Sequence, residues 1–271
     1  MALNKFVMFV AMPALGFQLL ANAPLAEFNF AMLGGYFVTE VVMYAVGFLI
    51  ARRVFKTDVM EAALLGLAIA LTNHILFVLP IAVTLFGETA ATPIVAIISM
   101  DGILIFSGSL ILMDVLSTKG TSVGHTLGKI ARNPPLVAMV LGLVVGLLGV
   151  SVPTGFDVFA DFLGATASPV LLFALGVILS QKAGGARPML PVAITAVKLV
   201  VHPLLAWAIF SGVLQLTPEV RNPAMMVAAA PCGAMCFMLA LNYGVRVDAI
   251  ARAVLYSSIG SLVTITVSAS L

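Results

Sequence analysis

Nine runs of apolar residues follow one another along the chain, each about 18 to 27 residues long and therefore able to cross a ~30 Å hydrocarbon core as a helix. They fall at about 3–22, 29–51, 61–87, 91–117, 133–151, 157–181, 188–213, 220–244 and 246–271, and are called spans A to I. No interval between them is long enough for a separate soluble domain. Of 271 residues, 62% are apolar and 9% are charged, against roughly a quarter charged in a soluble domain, so the fitting solvent is lipid. The predicted fold is all-α and polytopic, one membrane domain over 1–271.

The few cations carry the orientation. Threading the chain alternately puts Lys5, Arg52, Arg53, Lys56, Lys119, Lys129, Arg132, Lys182, Arg187, Arg246 and Arg252 on one side, leaving Arg221 on the other and Lys198 inside span G. Short cytoplasmic loops are enriched in Lys and Arg, which predicts Met1 in the cytoplasm and Leu271 outside, in a plasma membrane of the bacterial inner type. The first apolar run has no small-residue cleavage site and reads as a retained helix.

Internal repetition is visible in three pairs. Met12-Pro13-Ala14-Leu15 in span A is echoed by Ser168-Pro169-Val170-Leu171 in span F, Glu40 in B by Lys198 in G, and Pro80 in C by Pro231 in H. Spans A to D thus correspond to F to I, giving one repeat over about 1–117 and a second over about 133–271, with E unpartnered. Elements offset by an odd number of membrane crossings run in opposite directions, so the repeats are inverted, as alternating access requires.

Polar groups inside spans mark the expected site. Pro80 and Pro231 interrupt corresponding spans, and the backbone groups they free must face protein or a wet cavity. Half-helix ends brought to mid-membrane favour anions at their N-termini. Asn73 and His74 precede Pro80 by two turns and can hydrogen-bond a ligand, while Cys232 and Gly233 beside Pro231 leave room for close approach. Glu40, Asp101 and Lys198 lie at a depth where a charge costs at least ~2.5 to 3.5 kcal/mol unless paired or hydrated. Glu40 and Lys198 are predicted to flank one central cavity, with Lys198 facing a substrate carboxylate. His202, one turn after Lys198, either relays a proton or bonds a neighbouring helix. Asp114 is expected to be solvated near the end of span D.

Several functions are excluded by what the chain lacks. The scattered cations form no nucleic-acid surface. Cys232 and Cys236, read as two positions in one apolar helix, make neither a disulfide framework nor a four-ligand metal site, and His74, His125 and His202 are too dispersed for zinc. No nucleophile–base pair or phosphate loop is present, which argues against an enzyme and against a bound cofactor, and makes a gradient, of H⁺ or Na⁺, the energy source.

Five stretches together resemble the auxin efflux carrier family, whose bacterial members include permeases described as malonate transporters. They are Leu3-Asn4-Lys5-Phe6-Val7 leading to Met12-Pro13-Ala14-Leu15, Thr72-Asn73 through Leu79-Pro80-Ile81 to Phe86-Gly87-Glu88, Arg132-Asn133-Pro134-Pro135-Leu136, Ala230-Pro231-Cys232-Gly233-Ala234, and Ser168-Pro169 through Leu175-Gly176. The resemblance implies ten helices in two inverted repeats of five, the fourth and ninth broken where substrate binds. It places Asn73 and Pro80 at one break and Pro231 at the other, with a scaffold of spans A, E and F, an elevator-like movement of the remainder, and a homodimer through the scaffold. The family's first helix has no counterpart here, in keeping with the unpartnered span E. Thr72 and Val78 stand where the family has glycines.

The reading is a secondary transporter for a small organic anion such as malonate or another carboxylate. The competing readings are a sodium-coupled carrier of the bile acid symporter type, which calls for more acidic and amide ligands than these spans hold, and a non-transporting regulatory or binding subunit.

Overall fold

The computed structural model describes residues 2–117, 124, 128, 131–180 and 187–270. Regular structure among them is helical apart from one isolated antiparallel bridge between Thr72 and Cys232. The helices are α1 (Ala2–Ala21), α2 (Phe30–Val54), α3 (Val59–Ala70), α4 (74–86), α5 (Glu88–Ser117), α6 (Pro134–Leu148), α7 (Thr154–Val177), α8 (Met189–Val213), α9 (Pro218–Ala229), α10 (Met235–Asn242) and α11 (Asp248–Ala269). Six of them, α1, α2, α5, α7, α8 and α11, are long and apolar enough to cross a membrane. Spans C and H are each two short helices, α3 with α4 and α9 with α10, so the nine apolar runs are not nine continuous helices. Lys119, His125, Lys129, Lys182 and Leu271 lie outside the described residues.

Local chemistry sets the boundaries. The Asn29 side chain accepts from the Met32 N–H at 2.9 Å and so caps α2, and Asp58 caps α3 by accepting from Glu61 N–H at 3.0 Å. Pro134 and Pro135 start α6, where a missing N–H costs nothing, and Gly149 stops it in the left-handed region at φ 63°. Wide π-type turns at Val7–Ala11, His74–Val78 and Val197–Val201 each end two residues before a proline, Pro13, Pro80 or Pro203. A proline cannot donate to the preceding turn and crowds its carbonyl, and a wider turn absorbs both defects without ending the helix.

Helix α1 lies against α6 and α7 in one group, while α2 packs on α3, α8 on α11, and α9 on both α5 and α8. Contact between α1 and α6 is backbone-close: a methyl on Gly142 would collide with the Phe17 carbonyl. Small residues at such a face let helices gain dispersion contacts that lipid cannot supply. Gln18 extends the contact to α7 by donating to the Asp157 carbonyl. Large side chains such as Leu148, Phe162 and Phe173 point outward and are exposed, the arrangement expected of a lipid-facing surface and not of one meeting water.

Candidate functional site

The two broken segments meet. Residues 71–73 between α3 and α4, and 230–234 between α9 and α10, leave the helical path and pair with each other: Asn73 N–H donates to Pro231 O at 3.2 Å and Gly233 N–H donates to Leu71 O at 2.7 Å. Each break therefore satisfies backbone groups that the other exposes, which is what permits irregular backbone at this depth. Gly233 is required by the approach, since a Cβ there would stand 2.8 Å from Leu71 O. Helix α11 closes the crossing from behind, with Ser257 Oγ accepting from Cys232 N–H at 3.0 Å.

The structure corrects the position of the first break. It falls seven residues before Pro80, which is exposed midway along α4, away from the crossing. Pro231 does lie within its break, and it meets Asn73. Cys232 likewise belongs to the break, with only Cys236 on a helix, where its thiol donates to Gly233 O at 2.8 Å. Asp114 is buried and accepts from the Tyr243 hydroxyl at 2.6 Å, so it is not solvated.

Around the crossing the described structure gathers the charged residues expected from the sequence. Glu40 projects from α2, Asp101 from α5, His74 from the start of α4, and Lys198 and His202 from α8, and all are buried. Asp101, Lys198 and His74 each sit in a π-type turn, a distortion common where a side chain is re-aimed for function. Lys198 Nζ donates to Thr72 Oγ1 at 2.7 Å and lies 2.9 Å from His202 Nδ1. That contact leaves Nδ1 as the acceptor and directs the other ring nitrogen, Nε2, toward Thr39 Oγ1 at 3.4 Å. His74 Nε2 lies 2.8 Å from Asp101 Oδ2. The expectation that Lys198 faces a substrate is thereby revised: its ammonium is engaged by the chain itself.

Beside the crossing is a partly open pocket. One wall comes from α1, α6 and α7, through Leu15, Met139 and Leu171; the other comes from the crossing, through Thr72, Asn73, His74 and Asp101. Ala234 and Met235, at the N-terminal end of α10, complete it. Glu40, Lys198, His202, Pro231, Cys232 and Gly233 stand behind this wall, not in it. The N-terminal ends of α4 and α10 both reach the pocket and bring the positive ends of their dipoles with them. It is mostly apolar with one polar corner, a lining suited to a small ligand that carries a polar head.

Thr72 is the residue that reading the sequence overlooked as a contact. It is an acceptor for Lys198, a bridge partner of Cys232 and part of the pocket wall. Its only sequence signal was a β-branched, weakly helix-forming residue next to Asn73 in an otherwise favourable run.

A family model described as "Membrane transport protein" matches residues 1–269. The chain is 27% identical over 273 residues to a protein of Rhizobium meliloti (strain 1021) named "Putative malonate transporter", an alignment covering 97% of this chain and 84% of that one.

Proposed function

Since the chain belongs to the membrane transport protein family, the auxin efflux carrier family its motifs resemble, we propose that it is a secondary carrier of a small organic anion, malonate or another carboxylate, working by alternating access. The observation that carries this reading is the pocket between the α1, α6, α7 group and the crossing. A ligand held there touches both groups of helices, so sliding one group against the other would move it across the bilayer. Helix α1, α6 and α7 form the scaffold in this reading and the site of homodimer contact, and the crossing is the moving part.

Two inverted repeats, about 1–117 and 133–271, underlie the motion. Asn73 and Pro231, which bond across the crossing, are 158 positions apart, the same offset as Glu40 and Lys198. That spacing supports the symmetry better than pairing Pro80 with Pro231. The name of the Rhizobium meliloti relative and the convergence of two helix N-termini favour a carboxylate. Asn73 and His74 donate to it, and the apolar lining accepts its carbon skeleton. Excess Lys and Arg on one side argues for a cytoplasmic N-terminus in a bacterial inner membrane, with C-terminus outside, and the driving gradient is one of H⁺ or Na⁺.

The test is counterflow of radiolabelled malonate and other small carboxylates in proteoliposomes, wild type beside Asn73→Ala. Saturable exchange that Asn73→Ala weakens supports the reading. Absence of saturable flux for every carboxylate overturns it.

A further inference from the structure

Behind the pocket wall lies an unusual pair of acids. Glu40 on α2 is 0% exposed and Asp101 on α5 is 1% exposed. All four of their carboxyl oxygens lack a hydrogen-bond donor among the described residues, and the two carboxyl groups stand close enough to act as a hydrogen-bonding pair with each other. Two ionised carboxylates cannot face each other without donors in a medium of low polarity. The groups around them come from every neighbouring element: Tyr36 on α2, His74 at the start of α4, Lys198 and His202 on α8, and Cys232 in the break beyond Lys198. Among these Lys198 is the one lysine, and it already bonds Thr72 and His202.

We propose that Glu40 and Asp101 hold one proton between them, and that His74 passes this proton between the pair and the pocket. The carboxyl O–H of the pair gives its proton to His74 Nε2, which lies 2.8 Å from Asp101 Oδ2, leaving two carboxylates and an imidazolium. Before the transfer one carboxylate balances Lys198; after it two carboxylates balance Lys198 and His74. The cluster is neutral in both states, so the transfer changes no net charge in the bilayer. It does move a positive charge onto a residue of the pocket wall, where an arriving anion favours it. From His74, on the pocket wall, the proton leaves with the departing anion and is replaced when the next one arrives, which makes the coupling ion H⁺. That last consequence rests on the carrier reading; the shared proton does not.

Infrared spectroscopy of the full chain in lipid, titrated in pH without substrate, tests the pair directly. Wild type is expected to keep the C=O stretch of a buried carboxylic acid at neutral pH. Glu40→Gln and Asp101→Asn should each abolish that band, whereas Glu61→Gln and Asp114→Asn, at the other buried acids, should leave it. In His74→Gln the band should persist and exchange with D₂O more slowly than in wild type. No such band at neutral pH, or a band that survives both Glu40→Gln and Asp101→Asn, overturns the shared proton, and unchanged exchange in His74→Gln overturns the relay. Malonate counterflow measured on the same samples separates the two ideas. Flux without the band refutes the proton pair alone; the band without flux for any carboxylate refutes the carrier alone.

Discussion

Lys198 reaches from α8 across the centre of the molecule and ends 2.7 Å from the hydroxyl oxygen of Thr72, so a buried cation is tied to the chain break between α3 and α4. The C-terminal ends of α3 and α9 converge on the same place, and the negative ends of their dipoles favour a positive charge there. Lys198 thus stabilises an arrangement of half-helices that would otherwise collect partial negative charge at mid-membrane. Glu40, Asp101 and His74 extend that buried polar layer to the wall of the pocket.

Removing the Thr72 hydroxyl leaves the buried Lys198 short of one acceptor. Thr72→Val, close in shape, is expected to cost about 1–3 kcal/mol, read as a lower midpoint of thermal unfolding in detergent, and Thr72→Ser is expected to restore most of it. Equal midpoints for Thr72→Val and wild type would mean that the bond contributes nothing.

Gly233→Ala places a Cβ 2.8 Å from Leu71 O and 3.1 Å from its carbonyl carbon. Both are backbone atoms, so the crossing must part, at about 1–3 kcal/mol and with loss of the proposed carboxylate exchange. Gly176 in α7 meets nothing within 4 Å. Gly176→Ala should leave exchange intact and raise stability by up to about 1 kcal/mol through helix propensity.

Pro80 lies exposed midway along α4, just after its π-type turn. Pro80→Ala is expected to shift stability by no more than about 0.5 kcal/mol and to leave the proposed carboxylate exchange unchanged, in contrast to Asn73→Ala one helical segment earlier. Comparable losses in both variants would return the site to the proline.

Both native thiols, Cys232 and Cys236, are 0% exposed, so a membrane-impermeant maleimide meets little background. In intact cells it is expected to label Glu219→Cys and to spare Arg53→Cys until the membrane is opened. The reverse pattern would invert the orientation derived from the Lys and Arg bias.

Much of this architecture is legible in the sequence because lipid leaves a chain few options. A backbone group in hydrocarbon must find its partner within its own helix, so the apolar runs alone located helices such as α2, α5 and α8 to within a few residues. The cost of a buried charge likewise singled out Glu40, Asp101 and Lys198 before any of their contacts were known. What the sequence could not locate was the first break. Pro80 announced a defect, but a wide turn absorbed it; the chain leaves the helix at 71–73, where no glycine or proline stands. The helix can end there because Pro231 O and Gly233 N–H, some 160 residues away, complete the hydrogen bonds of Asn73 and Leu71. Partnership between distant segments also turned Lys198 toward Thr72 and away from the pocket. Solvent and periodicity act locally and so could be read from the sequence, whereas the crossing is a contract between two segments and exists only once both are folded.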